Sequence, residues 1–118
     1  MTLEAKSLDA PEETRAFGHG HMDIVSVAGV TVGRAEFEPG WRWSNDVKPI
    51  AGTDSCQTAH TGYVVAGRMH IVMDDGAEHE VGPGDALVIS PGHDAWIVGD
   101  ETCVMLDWSG SATYAKPG

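Results

Sequence analysis

The stretch from residue 60 to residue 93 constrains the fold of this chain more than any other part. An apolar strand pattern at residues 60–67 is followed directly by a second at residues 68–73 and by an Asp75-Gly76 dipeptide. Asp-Gly favours a tight hairpin turn, because glycine accepts the positive φ that such a turn needs. A Gly-Pro-Gly-Asp corner at residues 82–85 and a Ser-Pro-Gly turn at residues 90–92 bracket another apolar run. This order predicts short antiparallel strands that follow one another without helices.

Short apolar runs separated by turn residues continue on both sides of this stretch. The chain holds 15 glycines and six prolines, spread along its length as punctuation. We expect about eight to ten strands and a loop at residues 45–53. No helix is expected, except that residues 9–13 form either one short helical turn or part of a flexible arm. Such spacing predicts an all-β jelly-roll barrel. The expected divisions are a short N-terminal arm at residues 1–22, the barrel at residues 23–110 and a C-terminal tail at residues 111–118.

Length and charge bound the classes of function. A chain of 118 residues is the size of one domain. Its formal net charge is −11, from 18 acidic and seven basic side chains, which repels phosphate backbones and anionic lipids. We therefore expect no nucleic-acid or membrane partner. The first residues lack the apolar core of an export signal, so we expect a cytoplasmic protein whose two cysteines stay reduced.

The order of these elements resembles the cupin superfamily, and in particular small single-domain bacterial cupins of unassigned function. The residues that carry the resemblance are Tyr-Val-Val-Ala-Gly at 63–67, the Asp-Gly turn, and the Gly-Pro-Gly-Asp and Ser-Pro-Gly corners. The resemblance covers about residues 37–108 and implies a cupin-like double-stranded β-helix, which is a jelly-roll barrel. Barrels of this kind expose edge strands, so we expect a homodimer that covers them.

Cupins usually bind a divalent metal, and the resemblance assigns positions to its ligands. The first motif supplies two His and one Glu, and the second supplies one His. Counted from Gly67 and from the Pro-Gly corner, the four positions fall on Asp54, Cys56, His60 and Ala95. Each of these residues differs from the usual ligand. The dioxygenase chemistry of the family is therefore not carried over to this chain.

Other residues in the same region suggest a different metal site. Cys56 and His60 lie four residues apart in a predicted strand, and side chains at even spacing share a face. His93 has the same parity as Ala95 and is expected to face the same interior. Thiolate and imidazole together suit zinc, copper or iron. We predict Cys56, His60 and His93 as metal ligands; the alternative is a buried thiol with two hydrogen-bonded histidines.

The residues leave two functions open. One is a metal-dependent enzyme acting on a small molecule, of the oxygenase, isomerase or lyase type, in which His60 and His93 are catalytic. The other is a metal-free cupin that binds or senses a small ligand in a tryptophan-lined cavity. Imidazole suits proton transfer near neutral pH, and indole suits an apolar or aromatic ligand. The predicted ligand-binding residues are Trp41, Trp43, Tyr63 and Trp96.

Overall fold

The structure of the chain is a computed structural model that describes residues 2–116. Within these residues, nine strands form two antiparallel sheets. The strands are β1 (Glu13–Phe17), β2 (Gly20–Val27), β3 (Val30–Phe37), β4 (His60–Ala66), β5 (Arg68–Met73), β6 (Glu78–Val81), β7 (Ala86–Ile89), β8 (His93–Val98) and β9 (Cys103–Asp107). The larger sheet has six strands in the order β1-β2-β3-β9-β4-β7, and the smaller has three in the order β6-β5-β8.

The predicted all-β jelly roll is confirmed by this topology. The last strand, β9, lies between β3 and β4, so distant parts of the chain complete one sheet. The Asp75-Gly76 dipeptide forms the β5–β6 hairpin, and Gly76 has a φ of 93°. None of the helices within residues 2–116 is long and apolar enough to cross a membrane.

One core lies between the two sheets, and alternation along the strands decides which side chains enter it. In β8 the buried residues are His93, Ala95 and Ile97, and in β9 they are Cys103, Met105 and Asp107. Successive side chains of a strand point to opposite faces, so each set of three lines the same interior. Two of these six buried side chains, His93 and Asp107, are polar, and both belong to the candidate site.

The region between β3 and β4 differs from the prediction. The residues expected as a strand and a loop contain two short helices, α1 (Trp43–Asp46) and α2 (Lys48–Ala51). The Asp46 carboxylate accepts the Arg42 backbone N–H at 2.9 Å, and Pro49 stands in the first turn of α2. Both features favour helical turns, which sequence alternation alone does not reveal. Of the two alternatives for residues 9–13, the helical turn is not formed, and β1 begins at Glu13.

Residues 110–116 pack against the barrel. Arg15 donates hydrogen bonds to the backbone carbonyls of Ser111 and Tyr114, each at 2.7 Å. Ser111 is fully buried, and its hydroxyl donates to the Asp107 carbonyl at 2.8 Å. A Cβ atom on Gly33 would overlap the Ser111 side chain, so the missing side chain of Gly33 provides the space for it.

Candidate functional site

A backbone bridge brings Cys56 against His93. The Cys56 N–H donates to the His93 carbonyl at 2.7 Å, and the Gly92 N–H donates to the Cys56 carbonyl at 2.7 Å. Side chains of directly opposed residues lie on the same side of an antiparallel pair. The thiol and the imidazole therefore face the same interior. The sequence predicted one strand that contains both Cys56 and His60. This prediction is wrong, because β4 begins only at His60 and Cys56 lies before it.

His60 completes a cluster of three metal-ligating side chains. Its Nε2 lies 3.8 Å from the Cys56 Sγ, and its ring centroid lies 5.4 Å from that of His93. One ligand atom from each of the three residues lies within 4.8 Å of the other two. Asp54, at a ligand position that the cupin resemblance assigns, is exposed and outside the cluster.

Both imidazoles have one ring nitrogen engaged away from the cluster. His60 Nδ1 is hydrogen-bonded to the Asp107 carboxylate, and His93 Nδ1 donates to the Ser90 carbonyl at 3.0 Å. A carbonyl oxygen only accepts, so His93 Nδ1 carries the proton and the neutral ring has a free lone pair on Nε2. A carboxylate or carbonyl partner of this kind is the usual second contact of a metal-binding histidine.

Asp107 is a site residue that the sequence reasoning missed. It is 6% exposed, and its other carboxylate oxygen accepts the backbone N–H groups of Ser109 at 2.9 Å and Gly110 at 2.8 Å. One carboxylate thus fixes both the His60 ring and the start of the C-terminal segment. Its parity with Cys103 and Met105 was a usable signal, because it puts a charge on the buried face of the last strand.

The cluster has shifted proton affinities. Burial by itself raises the pKa of the Cys56 thiol, but hydrogen bonds and charge interactions with His60 and His93 outweigh burial and lower this pKa to about 6. Burial disfavours a charged His60, but Asp107 and Cys56 outweigh it and raise the pKa of His60 to about 9. Without a metal, the site at neutral pH therefore holds a thiolate beside an imidazolium.

The spacing of the cluster suits a tetrahedral metal ion. Zinc lies about 2.3 Å from sulfur and about 2.1 Å from nitrogen, which puts the two ligand atoms about 3.6 Å apart. The 3.8 Å between Cys56 Sγ and His60 Nε2 is close to this value. The donor set and the engaged Nδ1 atoms therefore fit zinc, and iron or copper accept the same donors.

A cavity of about 50 Å³ adjoins the cluster. Trp41 and Trp43 line it, together with His60 and His93, whereas Trp96 and Tyr63 do not. Its other lining residues are mostly apolar and include Met22, Ala35, Phe37, Gly62, Met69, Leu87, Ile89, Ala95 and Met105.

Trp96 and Tyr63 lie outside the cavity because of their parity. Trp96 alternates with the buried Ala95 and stacks on the His70 ring at 4.8 Å, beneath the Arg42 guanidinium at 4.5 Å. Tyr63 follows the cavity-lining Gly62 and is 40% exposed. Two of the four expected ligand-binding residues are thus placed away from the interior.

Tyr114 is the second residue that the sequence reasoning missed. It is buried, lines the cavity, and meets the His60 ring edge-to-face at a centroid distance of 5.4 Å. Burial, with the nearby charges of Cys56 and Asp107, raises the pKa of its phenol well above the usual range. Tyr114 lies in the segment that the sequence predicts to be a C-terminal tail. It is a single aromatic residue outside any apolar pattern, so no local feature of the sequence predicts its burial.

A second group of metal-ligating residues lies on the outer side of β2 and β3. His21 Nε2 contacts the Glu36 carboxylate at 2.8 Å and the Asp23 carboxylate at 3.5 Å. The Arg34 guanidinium lies 3.6 Å from Asp23 and already supplies positive charge there. This group is more exposed than the interior cluster, so it provides a matched surface comparison for tests of metal binding.

Comparisons with known proteins agree with the fold. The family model described as a cupin domain matches residues 53–109. A structure of unknown function from Rhizobium leguminosarum has a TM-score of 0.66 at 18% identity, and each chain covers 100% of the other. No curated protein matches the sequence.

Two further solved structures share the fold. A polyketide cyclase from Streptomyces resistomycificus has a TM-score of 0.61 at 19% identity, covering 90% of this chain and 78% of its own. A cupin-2 domain from Rhodospirillum rubrum has a TM-score of 0.56 at 22% identity, covering 89% of this chain and 65% of its own. At these identities the likeness concerns the fold alone.

Proposed function

Because this chain belongs to the cupin superfamily, we propose that it is a metal-dependent enzyme acting on a small molecule, with the metal bound by Cys56, His60 and His93. The observation that carries the proposal is the orientation of the two imidazoles. Each has its Nδ1 engaged by Asp107 or by the Ser90 carbonyl, which leaves Nε2 for a metal beside the Cys56 sulfur. The reaction is of the oxygenase, isomerase or lyase type.

The residues around the cluster give it the character of a catalytic site. Three protein ligands leave a coordination position for water or substrate, as in catalytic rather than structural zinc sites. A zinc, iron or copper ion in this position supplies Lewis-acid chemistry. Asp107 holds the His60 ring in place, and the apolar wall formed by residues such as Ala35 and Ile89 limits the water that reaches the reacting atoms.

Metal analysis of purified variants tests the ligand assignment. We expect about one equivalent of zinc, iron or copper in the wild type and a large loss in His60→Ala and Cys56→Ala. His21→Ala, which alters the surface group, serves as the matched control and retains the metal. Loss in His21→Ala with retention in His60→Ala would move the site to the surface group and remove the proposal.

Cobalt substitution gives a readout that does not need a known substrate. A thiolate bound to cobalt produces a charge-transfer absorption that a histidine-only site lacks. We expect this band in the wild type and its loss in Cys56→Ser, with the weaker ligand-field absorption remaining. A cobalt protein without the band would show that Cys56 is not a ligand.

A metal-free binding protein is the second candidate function. It is supported by Trp41 and Trp43, which both line the cavity, and by the buried Trp41 indole N–H, which lacks a hydrogen-bond partner within residues 2–116. Such a protein binds its ligand equally well after chelation. We expect a ligand-induced change in tryptophan fluorescence that persists in Trp96→Phe, because Trp96 lies outside the cavity. A response abolished by a chelator would exclude this function.

We also propose that two copies of the chain associate through the outer face of β4, β7 and β9. Strand β7 is an edge of the six-stranded sheet, and its Val88 is 78% exposed. Tyr63 and Val65 on β4, and Trp108 directly after β9, are also exposed large apolar residues. Light scattering tests this: Val88→Lys should give a monomer, and Val30→Lys, at an exposed hairpin position, should not.

A further inference from the structure

The candidate metal cluster lies between two separate spaces. The interior cavity of about 50 Å³ is lined by His60 and His93, and its other walls are mostly buried. A second space of about 410 Å³, here called the surface groove, is lined by Cys56 and opens to solvent. The groove is also lined by Val47, Ala51, Thr53, Gln57, Thr58 and Thr113. The three proposed metal ligands are therefore divided between the cavity and the groove.

Tyr114 stands between these two spaces. It lines both the cavity and the groove, and among residues 2–116 Trp43 is the one other residue that does so. Trp43 begins helix α1, whereas Tyr114 lies in residues 110–116, outside the helices and strands. The Tyr114 hydroxyl makes no hydrogen bond within the described part of the chain, so moving the ring breaks none there. Tyr114 is thus the movable part of the partition.

Arg15 holds the segment that carries Tyr114. Its guanidinium donates to the carbonyls of Ser111 and Tyr114, each at 2.7 Å, and its side chain is 9% exposed. The next residue, Ala115, has a φ of 56°, a left-handed conformation that alanine rarely adopts. Such a conformation persists only where the surrounding structure holds it. The closed position of Tyr114 therefore depends on Arg15, which itself lines neither space.

The two volumes show why the partition matters for a substrate. A single water needs about 10–15 Å³ of such space, so about 50 Å³ accepts on the order of four water-sized groups. Small-molecule sites usually span about 300–1,000 Å³, and the groove, at about 410 Å³, falls in this range. A substrate larger than a few heavy atoms therefore fits the groove, and it reaches the cavity side of the cluster when Tyr114 moves aside.

The lining of the groove selects the chemical class of the ligand. Apolar side chains such as Val47 stand beside the hydroxyl and amide groups of Thr53 and Gln57, which both donate and accept hydrogen bonds. Lys116 is a single exposed cation in the lining, and none of the described lining residues is Asp or Glu. The negative charge of Cys56, which acts on Tyr114, opposes an anion at the partition. An uncharged molecule with hydroxyl or carbonyl groups matches this lining.

We propose that the surface groove is the substrate-binding entrance to the site, that Tyr114 is its gate, and that Arg15 holds the gate closed. The ligand is an uncharged molecule that carries hydroxyl or carbonyl groups and an apolar part. When Tyr114 turns aside, the groove and the cavity become one space, and the ligand reaches His60 and His93. This inference rests on the proposed function and names its substrate class, but the gate does not require the metal.

The two cysteines provide a test that needs neither metal nor substrate. Cys56 is 2% exposed and lies at the groove, and both its Sγ and the Tyr114 ring contact His60. Cys103 is completely buried and lines neither space. In metal-free full-length protein, iodoacetamide should therefore alkylate Cys56 when the gate opens and Cys103 only when the chain unfolds. Mass spectrometry of the two peptides measures both rates.

Arg15→Met is the main variant in this assay. It removes two hydrogen bonds from a charged group, so the Cys56 rate should rise about tenfold or more while the Cys103 rate stays unchanged. Arg68→Met is the matched control, because Arg68 pairs with a surface carboxylate, that of Glu80, and should change neither rate. An unchanged Cys56 rate in Arg15→Met, or an equal rise in both rates, would overturn the gate.

Substitutions at Tyr114 test the ring itself. Tyr114→Phe keeps the ring and should keep the wild-type Cys56 rate, because the hydroxyl makes no hydrogen bond within residues 2–116. Tyr114→Ala opens the partition and should raise the Cys56 rate about tenfold or more relative to that of Cys103. Equal Cys56 rates in Tyr114→Ala and Tyr114→Phe would show that the ring does not close the groove.

A pair of reagents tests the charge of the ligand. Iodoacetate has nearly the same size as iodoacetamide but carries a negative charge. With each rate divided by that of free cysteine, iodoacetate should react with Cys56 about tenfold more slowly than iodoacetamide. Equal or faster relative reaction of iodoacetate would overturn the assignment to an uncharged ligand.

Metal content separates a failure of the gate from a failure of the proposed function. Arg15→Met should retain the wild-type metal content, because Arg15 donates to backbone carbonyls and to Glu13 and not to a proposed ligand. Unchanged Cys56 rates with normal metal content would refute the gate and leave the metal centre standing. A wild type without metal that shows the expected Cys56 rates would refute the metal centre and support the gate.

Discussion

Asp107→Asn tests the proposed metal centre most sharply, because it changes the His60 tautomer without changing a ligand. In the wild type, one carboxylate oxygen accepts from Ser109 and Gly110 and the other faces His60 Nδ1. Asparagine can keep its oxygen on the two backbone N–H groups, which puts its NH₂ against the imidazole. An NH₂ group only donates, so His60 Nδ1 must become the acceptor. The proton then moves to Nε2, the atom proposed to bind the metal.

The size of the effect follows from this geometry. Loss of the carboxylate partner of a metal-binding histidine typically weakens metal affinity about 10–100-fold, or about 1.4–2.8 kcal/mol. Losing the hydrogen bond to a charged group also lowers the unfolding free energy of the metal-free protein by about 1.5–3 kcal/mol. The two effects are measured separately, by zinc competition with a chromophoric chelator and by urea unfolding.

Asp94→Asn is the matched control for this variant. Asp94 also caps a backbone N–H, that of Ser44 at 3.1 Å, and it precedes a cavity-lining residue, but it does not contact His60. We expect near wild-type zinc affinity in Asp94→Asn. Equal zinc affinity in Asp107→Asn and wild type, in a folded protein, would refute the role given to Asp107 and weaken the metal assignment with it.

Three further predictions follow from the same contacts. Metal must displace the His60 proton below pH 9, and also a Cys56 proton below pH 6, so zinc affinity should rise about tenfold per pH unit from 6 to 9 and then level off; a flat profile would contradict the shifted pKa values. In metal-free protein, thiolate absorption should rise through about pH 6 as Cys56 loses its proton. This absorption should be missing in Cys56→Ser, because burial raises the pKa of the other cysteine, Cys103, to about 12. Gly110→Ala places a methyl 2.8 Å from His60 Nδ1 and should lower the unfolding free energy by about 1–3 kcal/mol, whereas Ser109→Ala should not.

Local pattern was sufficient for the fold and for part of the candidate site. Turn dipeptides and alternating apolar residues act over two to five positions, so the Asp75-Gly76 hairpin and the buried faces of β8 and β9 can be predicted without tertiary information. The same alternation placed His93 on the interior face. It also predicts that Asp107 is buried, because Asp107 follows Cys103 and Met105 at the same two-residue spacing.

Alternation failed where the chain leaves regular strands. Trp43 was expected on a strand and begins α1, because the Asp46 carboxylate and Pro49 stabilise helical turns there. Cys56 and His60 do come together, although not through a shared strand. Cys56 reaches the cluster through its backbone bridge to His93, a contact between residues 37 positions apart.

The sequence by itself determined that this protein is a small acidic jelly roll with cupin-type corners, and it indicated which strand faces are buried. These properties depend on residues that are close in the chain, because strand alternation and the φ preference of a turn residue are both local. Only the tertiary structure decided that Asp107 holds His60, that Tyr114 enters the cavity, and that Trp96 and Tyr63 stay outside it. Those outcomes depend on pairing and docking between distant segments, such as the Arg15 hydrogen bonds to residues 111 and 114, which no local period encodes.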